Sequence, residues 1–276
     1  MNEQVRSIPV SQLYPFQYHP FHVRDDEAMA ALCGSIQEYG ILSPLLARPA
    51  GEGYEVISGH RRRLAALKLG LLELPVLIRS MTDDEAVILM VDSNIQRENL
   101  LPSEKAFAYK MKLEAMKHQG KVTSCKDCTK TRSDEMIAQE AHVSARTIQN
   151  YIRLTYLVKP ILDQVDEGRI AFSPAVELSF MSRQEQAELW DIMNSEDSTP
   201  SLSQAVRLKK LSQKGELTPE RIYEIMREEK ANQRERVRID VNQLRKYFPK
   251  GYTALQMEKK ILQLLEENYQ NNSVIK

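Results

Sequence analysis

Three arginines stand in a row at Arg61, Arg62 and Arg63, directly after the apolar run Val56-Ile57-Ser58 and a glycine, Gly59. A glycine between a strand and a helix lets backbone N–H groups approach an anion, and guanidinium groups in the first helical turn add charge-assisted donors for phosphate. Cations at that end of a helix oppose its macrodipole, so their placement costs stability unless a negative ligand neutralises them. Taken alone, the run fits a solvated basic face as well as a phosphate site. The segment "DSNIQRENL" adds Asn94 and Arg97 at i, i+3 on one helical face, an amide and a guanidinium offered to the same anion. A second constellation, "SDEMIAQEAHVSARTIQNYIRLTYL", has helix-turn-helix spacing. Ser144 is placed to cap its second helix, and Ile148, Tyr151 and Ile152 point inward. Arg146, Thr147, Gln149, Asn150 and Arg153 point outward, a set suited to the base edges and phosphates of duplex DNA. Any antiparallel helix pair can produce the same periodicity. His142 occupies the turn position usually given to glycine, and histidine tolerates a left-handed backbone better than β-branched residues do.

The elements that must hold these groups alternate short strand-like and helical runs over residues 1–118, which predicts an α/β or α+β unit. Asp25 to Tyr39 places Met29, Leu32, Cys33 and Ile36 on one helical face and ends at Gly40. "SPLLARP" and "GYEVIS", separated by "AGEG", read as a hairpin. A helix follows from Gly59 to near Gly70, then a buried strand, "LPVLIR", then a helix opened by a Thr82/Glu85 capping box. Pro102 and Ser103 start a further helix, with Ala106, Tyr109, Leu113 and Met116 on one face. Residues 119–132 read as a basic linker, 133–213 as helical throughout and 214–235 as a charged, solvated helical linker. Residues 236–276 read as a small mixed unit, with "RVRIDV" a strand and Met257, Ile261, Leu264 and Leu265 a stripe on a closing helix.

Bulk composition bounds the rest. The chain has 276 residues, 42% of them hydrophobic, enough for about two cored domains. Lys plus Arg equals Asp plus Glu at 38 each, so any polyanion site comes from local clustering and not from a global field. The three cysteines are too few for a disulfide framework, and no signal peptide or membrane-length apolar run is legible, so a cytoplasmic protein without a membrane role is expected. Cys125 and Cys128 supply two of the four ligands that structural zinc needs, and zinc is not expected.

Val56 to Ala66 resembles the arginine-rich box of ParB-type partition proteins, and "DSNIQRENLLPSEKA" is similar to their second box. The helix-turn-helix follows in the family's order, and "DEGRIAFSPAVELSFM" resembles the helical segment downstream of it. The similarity covers about residues 5–182. It implies an α+β chain: an N-terminal ParB/sulfiredoxin-like α/β domain, a central all-α helix-turn-helix domain and a small C-terminal α/β unit that dimerises. It also implies CTP with Mg2+ at the first domain, a centromere-like duplex site at the second, homodimers that close into sliding clamps, a ParA-type ATPase partner and a nucleoid-associated location in the cytoplasm. A plasmid or integrative element is the expected host. By resemblance, Gly59, His60, Arg61, Arg62, Asn94 and Arg97 face the triphosphate, with Asn94 nearest the metal. His60 and Ser93 stand where the family commonly has glutamates implicated in hydrolysis, so binding with weak turnover is expected. Ser43 replaces a usual glutamine near the base. Two other readings remain: a small phosphotransferase of the same fold superfamily, and a transcriptional regulator using the same DNA reader. A sulfiredoxin activity would need a cysteine where Gly59 stands.

Overall fold

The computed structural model describes residues 5–17, 19–23, 25–97, 100–120, 133–228, 240–249 and 251–273. Residues 1–228 form one compact unit and residues 229–276 another. The first unit opens on a five-stranded mixed sheet. Its strands are β1 (Val5–Pro9), β2 (Leu13–Pro15), β3 (Leu45–Ala50), β4 (Gly53–Ser58) and β5 (Glu73–Ile78), in the order β1-β5-β3-β4-β2. β3 and β4 are the expected antiparallel hairpin, turning at Gly51 with φ 57°. β3 runs parallel to β5, and β2 parallel to β4.

Adjacent β4 residues serve opposite faces of this sheet, as the two-residue strand period requires. Val56 joins Ile8, Leu13, Leu45, Leu74 and Val76 in one core, while Ile57 joins Phe16, Phe21, Ala86 and Met90 in another. Against the first core lie α1 (Glu27–Tyr39) and α2 (His60–Lys68), which pack on each other through Met29, Ile36 and Ala65, with Leu32 and Cys33 alongside. Against the second lie α3 (Asp83–Ile95) and α4 (Pro102–Gly120). The Thr82/Glu85 capping box opens α3 as the sequence indicates, and Gly40 closes α1 with φ 71°.

α4 is apolar on several sides because it serves three cores at once. Ala108 packs with α3, Tyr109 and Leu113 pack with the pair that follows, and Ala106 joins the large helical core behind. That pair is α5 (Ser133–Glu140) and α6 (Ala145–Leu154). The helical core is built by α7 (Lys159–Asp166), α8 (Phe172–Leu178), α9 (Arg183–Ser195), α10 (Leu202–Lys214) and α11 (Pro219–Arg227). α11 corrects one expectation: the stretch read as a solvated linker buries Ile222, Ile225 and Met226 in that core. Its apolar residues are few, but they fall at i, i+3, i+4, which suffices for one buried face.

Residues 121–132, including Cys125 and Cys128, lie outside the described residues, as does most of the strand expected at "RVRIDV". Asp240 and Val241 are described and are not strand. The Asp240 side chain accepts from the Asn242 N–H at 2.8 Å and caps α12 (Val241–Leu244). α13 (Ala254–Ser273) closes this second unit. Its expected stripe divides: Met257 is buried, while Leu264 and Leu265 are exposed.

Inside the first unit, the Lys112 ammonium on α4 is buried and donates to both Asp92 on α3 and Glu140 on α5. Both carboxylates retain solvent, so removing the lysine strands no buried anion; what is lost is a pair of charge-assisted bonds. Lys112→Met, which nearly preserves volume, is expected to lower stability by about 1.5–3 kcal/mol in urea unfolding.

Candidate anion site and nucleic-acid interface

Several helices of this chain start on a side-chain cap: Asp26, Thr82, Ser144, Ser182, Ser201 and Thr218 each accept from a first-turn N–H. α2 starts instead on Gly59, at φ 105°, with no side-chain cap and no acidic residue in its first turn. Its free N–H groups are therefore met by cations, an arrangement suited to an anion. The glycine is required on two counts. Its φ disfavours any L side chain, and a Cβ would lie 2.8 Å from Leu45 Cγ.

The three arginines diverge. Arg61 donates to Asp26 Oδ1 at 3.1 Å. Arg62 turns to the carbonyls of Ser43 and Pro44, and so braces the loop that enters β3. Arg63 donates to the Leu13 carbonyl at 2.8 Å. Arg97, just past α3, is exposed and close enough to Arg61 for like charge to lower its pKa, after the larger effect of burial. Among the described residues, Arg62, Arg63 and Arg97 have no ion-pair partner.

His60 lies in the same cluster. Its Nε2 accepts from the Phe16 N–H at 3.5 Å, and its ring tilts against His19 with centroids 4.0 Å apart. Burial, then the positive neighbours His19, Arg63 and Arg97, lower its pKa to about 3, so it is neutral at physiological pH. Asn94 is buried and donates to the Met90 carbonyl at 2.8 Å and to Ser93 Oγ at 3.1 Å. Its carbonyl oxygen is the group a hard cation could use. Ser93 Oγ donates back to Met90 O at 2.9 Å. The donors gathered at the start of α2 are thus guanidinium and open helix N–H groups, which suit a polyanion, while the Asn94 amide N–H groups are already spent within α3. Sequence reading passed over His19, Asp26 and Glu104. His19 and Glu104 touch the cluster only through folding, and Asp26 is legible as a cap but not as the partner of Arg61.

The second constellation folds as a packed helix pair: α5, a turn with His142 at φ 54°, and α6, joined through Ile137, Ala138, Ile148 and Ile152. Ser144 caps α6, accepting from Thr147 N at 3.1 Å. The outward residues separate into accessible and tethered, with the Thr147 hydroxyl 2.8 Å from that of Ser144. Arg146 is exposed, and Thr147 and Asn150 are partly exposed. Gln149 Nε2 donates to Asp134 Oδ2 on α5 at 2.9 Å. Arg153 donates to the Ser179 hydroxyl and carbonyl and lies over the Phe180 ring at 3.9 Å. These two hold the motif together. Tyr151, expected inward, packs beside Tyr109 and Phe172.

A family model described as the ParB N-terminal domain matches residues 1–95. Over 187 residues the chain is 36% identical to a probable chromosome 1-partitioning protein ParB of Deinococcus radiodurans, covering 68% of this chain and 59% of that one. Over 202 residues it is 32% identical to the chromosome-partitioning protein Spo0J of Thermus thermophilus, covering 73% and 69%. Two structures of the C-terminally truncated chromosome-partitioning protein ParB from Caulobacter crescentus are similar to it. The one complexed to the centromeric parS site gives a TM-score of 0.45 at 23% identity, covering 76% of this chain and 99% of that one. The one complexed with CTP-gamma-S gives 0.33 at 25% identity, covering 68% and 97%.

Two measurements check this geometry. Gly59→Ala is expected to cost about 1–3 kcal/mol of stability in urea unfolding, from backbone strain and the contact with Leu45. His60 binds its proton far less readily when folded than when unfolded, so its contribution is fully present above about pH 6.5 and is lost as pH falls toward 3. The unfolding free energy of the native chain is expected to fall more steeply from pH 6.5 to 4.5 than that of His60→Asn, by up to about 1.4 kcal/mol per pH unit.

Proposed function

The chain belongs to the ParB family of chromosome-partitioning proteins, and from that premise we propose that it is a sequence-specific DNA-binding partition protein gated by a nucleotide, CTP foremost. The observation that carries the reading is the sharing of α4: the helix that packs under the anion cluster also packs under the helix-turn-helix, within one unit. Arg146, Thr147 and Asn150 read one half-site, and a second copy supplies the other half. Ser144, Gln149 and Arg153 fix the attitude of the reading helix. Pairing falls to the second unit, where Leu255, Leu262 and Leu265 expose apolar surface on α13. A ParA-type ATPase is the further partner, and the place of work is the nucleoid. Among the described residues no helix is long and apolar enough to cross a membrane.

CTP with magnesium would supply the polyanion that offsets the arginines, and Asn94 is the residue for the cation. Gly59 lets the α2 N–H groups approach the phosphates, Arg61 and Arg97 neutralise them, and Arg62 holds the Ser43 loop beside the base. Neither His60 nor Ser93 presents a carboxylate to activate water, so the nucleotide acts by occupancy and turnover is slow.

Immunoprecipitation from the host with sequencing of bound DNA is expected to give one sharp peak with flanking spread. In gel shifts on that site, Asn150→Ala and Arg146→Ala are each expected to lose about 1–3 kcal/mol of discrimination while keeping salt-sensitive nonspecific binding. Equal loss on every sequence would refute base readout by α6. Arg61→Ala is expected to keep site binding and lose CTP-dependent crosslinking between protomers.

A further inference from the structure

Resting on the nucleotide reading above, we propose that His19 is a phosphate ligand of the anion site and enters the bound state protonated, so that anion binding takes up a proton from solvent. The geometry fixes which nitrogen is available. Nδ1 of His19 lies 2.7 Å from the Phe21 carbonyl, an acceptor only, so Nδ1 carries the hydrogen of the neutral ring. The ring is held edge-on to Phe21 and tilted against His60. Nε2 is then a lone-pair acceptor, and it is buried with no hydrogen-bond partner among the described residues. A buried acceptor without a donor carries an uncompensated desolvation cost, which a bound partner relieves.

The groups facing the two histidines decide what that partner is. α2 contributes Arg63, the end of α3 contributes Arg97, α4 contributes Glu104 and the histidines' own loop contributes His22. Glu104 is already committed: it accepts from the His22 N–H at 2.7 Å and the Leu101 N–H at 3.0 Å. His60 is committed as well, since it accepts from Phe16 N and bonds to the Val56 backbone. Of the two adjoining histidines, His19 keeps a buried ring nitrogen without a partner among the described residues, with Arg97 opposing and Glu104 favouring its protonation. Burial, and then the Arg97 charge, lower its pKa, which keeps the ring neutral without an anion. A phosphate oxygen would meet a lone pair there and be repelled. With a proton on Nε2 the same atom becomes a donor beside the guanidinium groups, and the phosphate charge reverses the local field that had opposed protonation. The proton comes from water or buffer and returns there on release, so no other reactant is involved.

The sign follows. Binding raises the His19 pKa, so affinity is full below the free-state value and is lost as pH rises through the bound-state value. Calorimetry of the full chain with CTP–Mg2+ and with inorganic tripolyphosphate, at pH 7 in two buffers of different ionisation enthalpy, is expected to show uptake approaching one proton per site for both ligands. Both ligands are supplied saturated with Mg2+, which lowers the last tripolyphosphate ionisation, and from pH 7 to 8.5 affinity is then expected to fall by up to about tenfold per pH unit. His19→Asn keeps an N–H for the Phe21 carbonyl and cannot titrate, so it is expected to abolish proton uptake and flatten the profile. Should that variant fold poorly, ring NMR of the native chain decides, with the His19 signals expected to pass from the neutral to the imidazolium pattern on adding tripolyphosphate. Binding without proton uptake, or uptake unchanged in His19→Asn, would overturn the proposal while leaving the nucleotide reading intact. A defect of His19→Asn confined to CTP would assign Nε2 to an amino group of the base and overturn it equally. Failure of both ligands to bind the native chain would remove the nucleotide reading and this one with it.

Discussion

Positive charge crowded at an uncapped helix start is the constraint on which the rest of the first unit turns. The fold has acids within reach and does not spend them there. Asp26 holds Arg61 but also caps α1, and Glu104 serves two backbone N–H groups away from α2. An ordinary helix with this sequence would gain from an aspartate or serine at its cap position. This one has a glycine in a left-handed conformation, backed against Leu45. The sheet order makes that possible, since β3 and β4 bring Leu45 under the end of β4, where the chain turns into α2.

α4 stands between that helix end and the helices beyond it, packed on several sides at once. Ala108, Tyr109 and Ala106 face three different cores, and Lys112 spans Asp92 and Glu140. α3, which leads into Arg97, and α5, the first helix of the pair α5–α6, thus share one buried ammonium. A ligand that drew α3 toward the arginines would change the distance over which Lys112 must reach. A coupling of this kind would need no long pathway, only two carboxylates on opposite sides of one lysine.

Much of this frame was legible in the sequence where the signal is local. The Thr82/Glu85 box, the Gly40 stop, the hairpin around Gly51 and the Ser144 cap each rest on residues within a few positions of one another, and each appears as read. His142 adopts the left-handed turn its position demanded. What the sequence leaves unread is the partner that lies far along the chain. Periodicity placed Gln149 and Arg153 on the outer face of α6, yet only the fold could bring Asp134 and Ser179 to them. Arg62 was read with its neighbours until the Ser43 loop claimed it. α11 was misjudged because its average polarity hid three well-spaced apolar residues. His19 gave no sequence signal, since an unpaired nitrogen is a property of packing.

The tethering of Gln149 and Arg153 also limits which side of α6 stays accessible. Arg153 lies between Phe180 and Tyr156, with its guanidinium 3.9 and 4.6 Å from the two ring centroids, and Lys209 covers Phe180 at 4.0 Å. Stacked cations and rings of this kind hold the last turn of α6 against α8, while Gln149 holds its middle against α5. Only the side from Arg146 through Thr147 to Asn150 remains open. In a helix-turn-helix the amino-terminal residues of the second helix enter the major groove, and here that end carries the exposed Arg146 and a Thr147 hydroxyl shared with Ser144. Fixing the rest of the helix removes conformational freedom before binding, so less entropy is lost when the groove is entered. If α6 is the reading helix, its discrimination would come from the orientation those tethers impose as much as from the number of groups that touch a base.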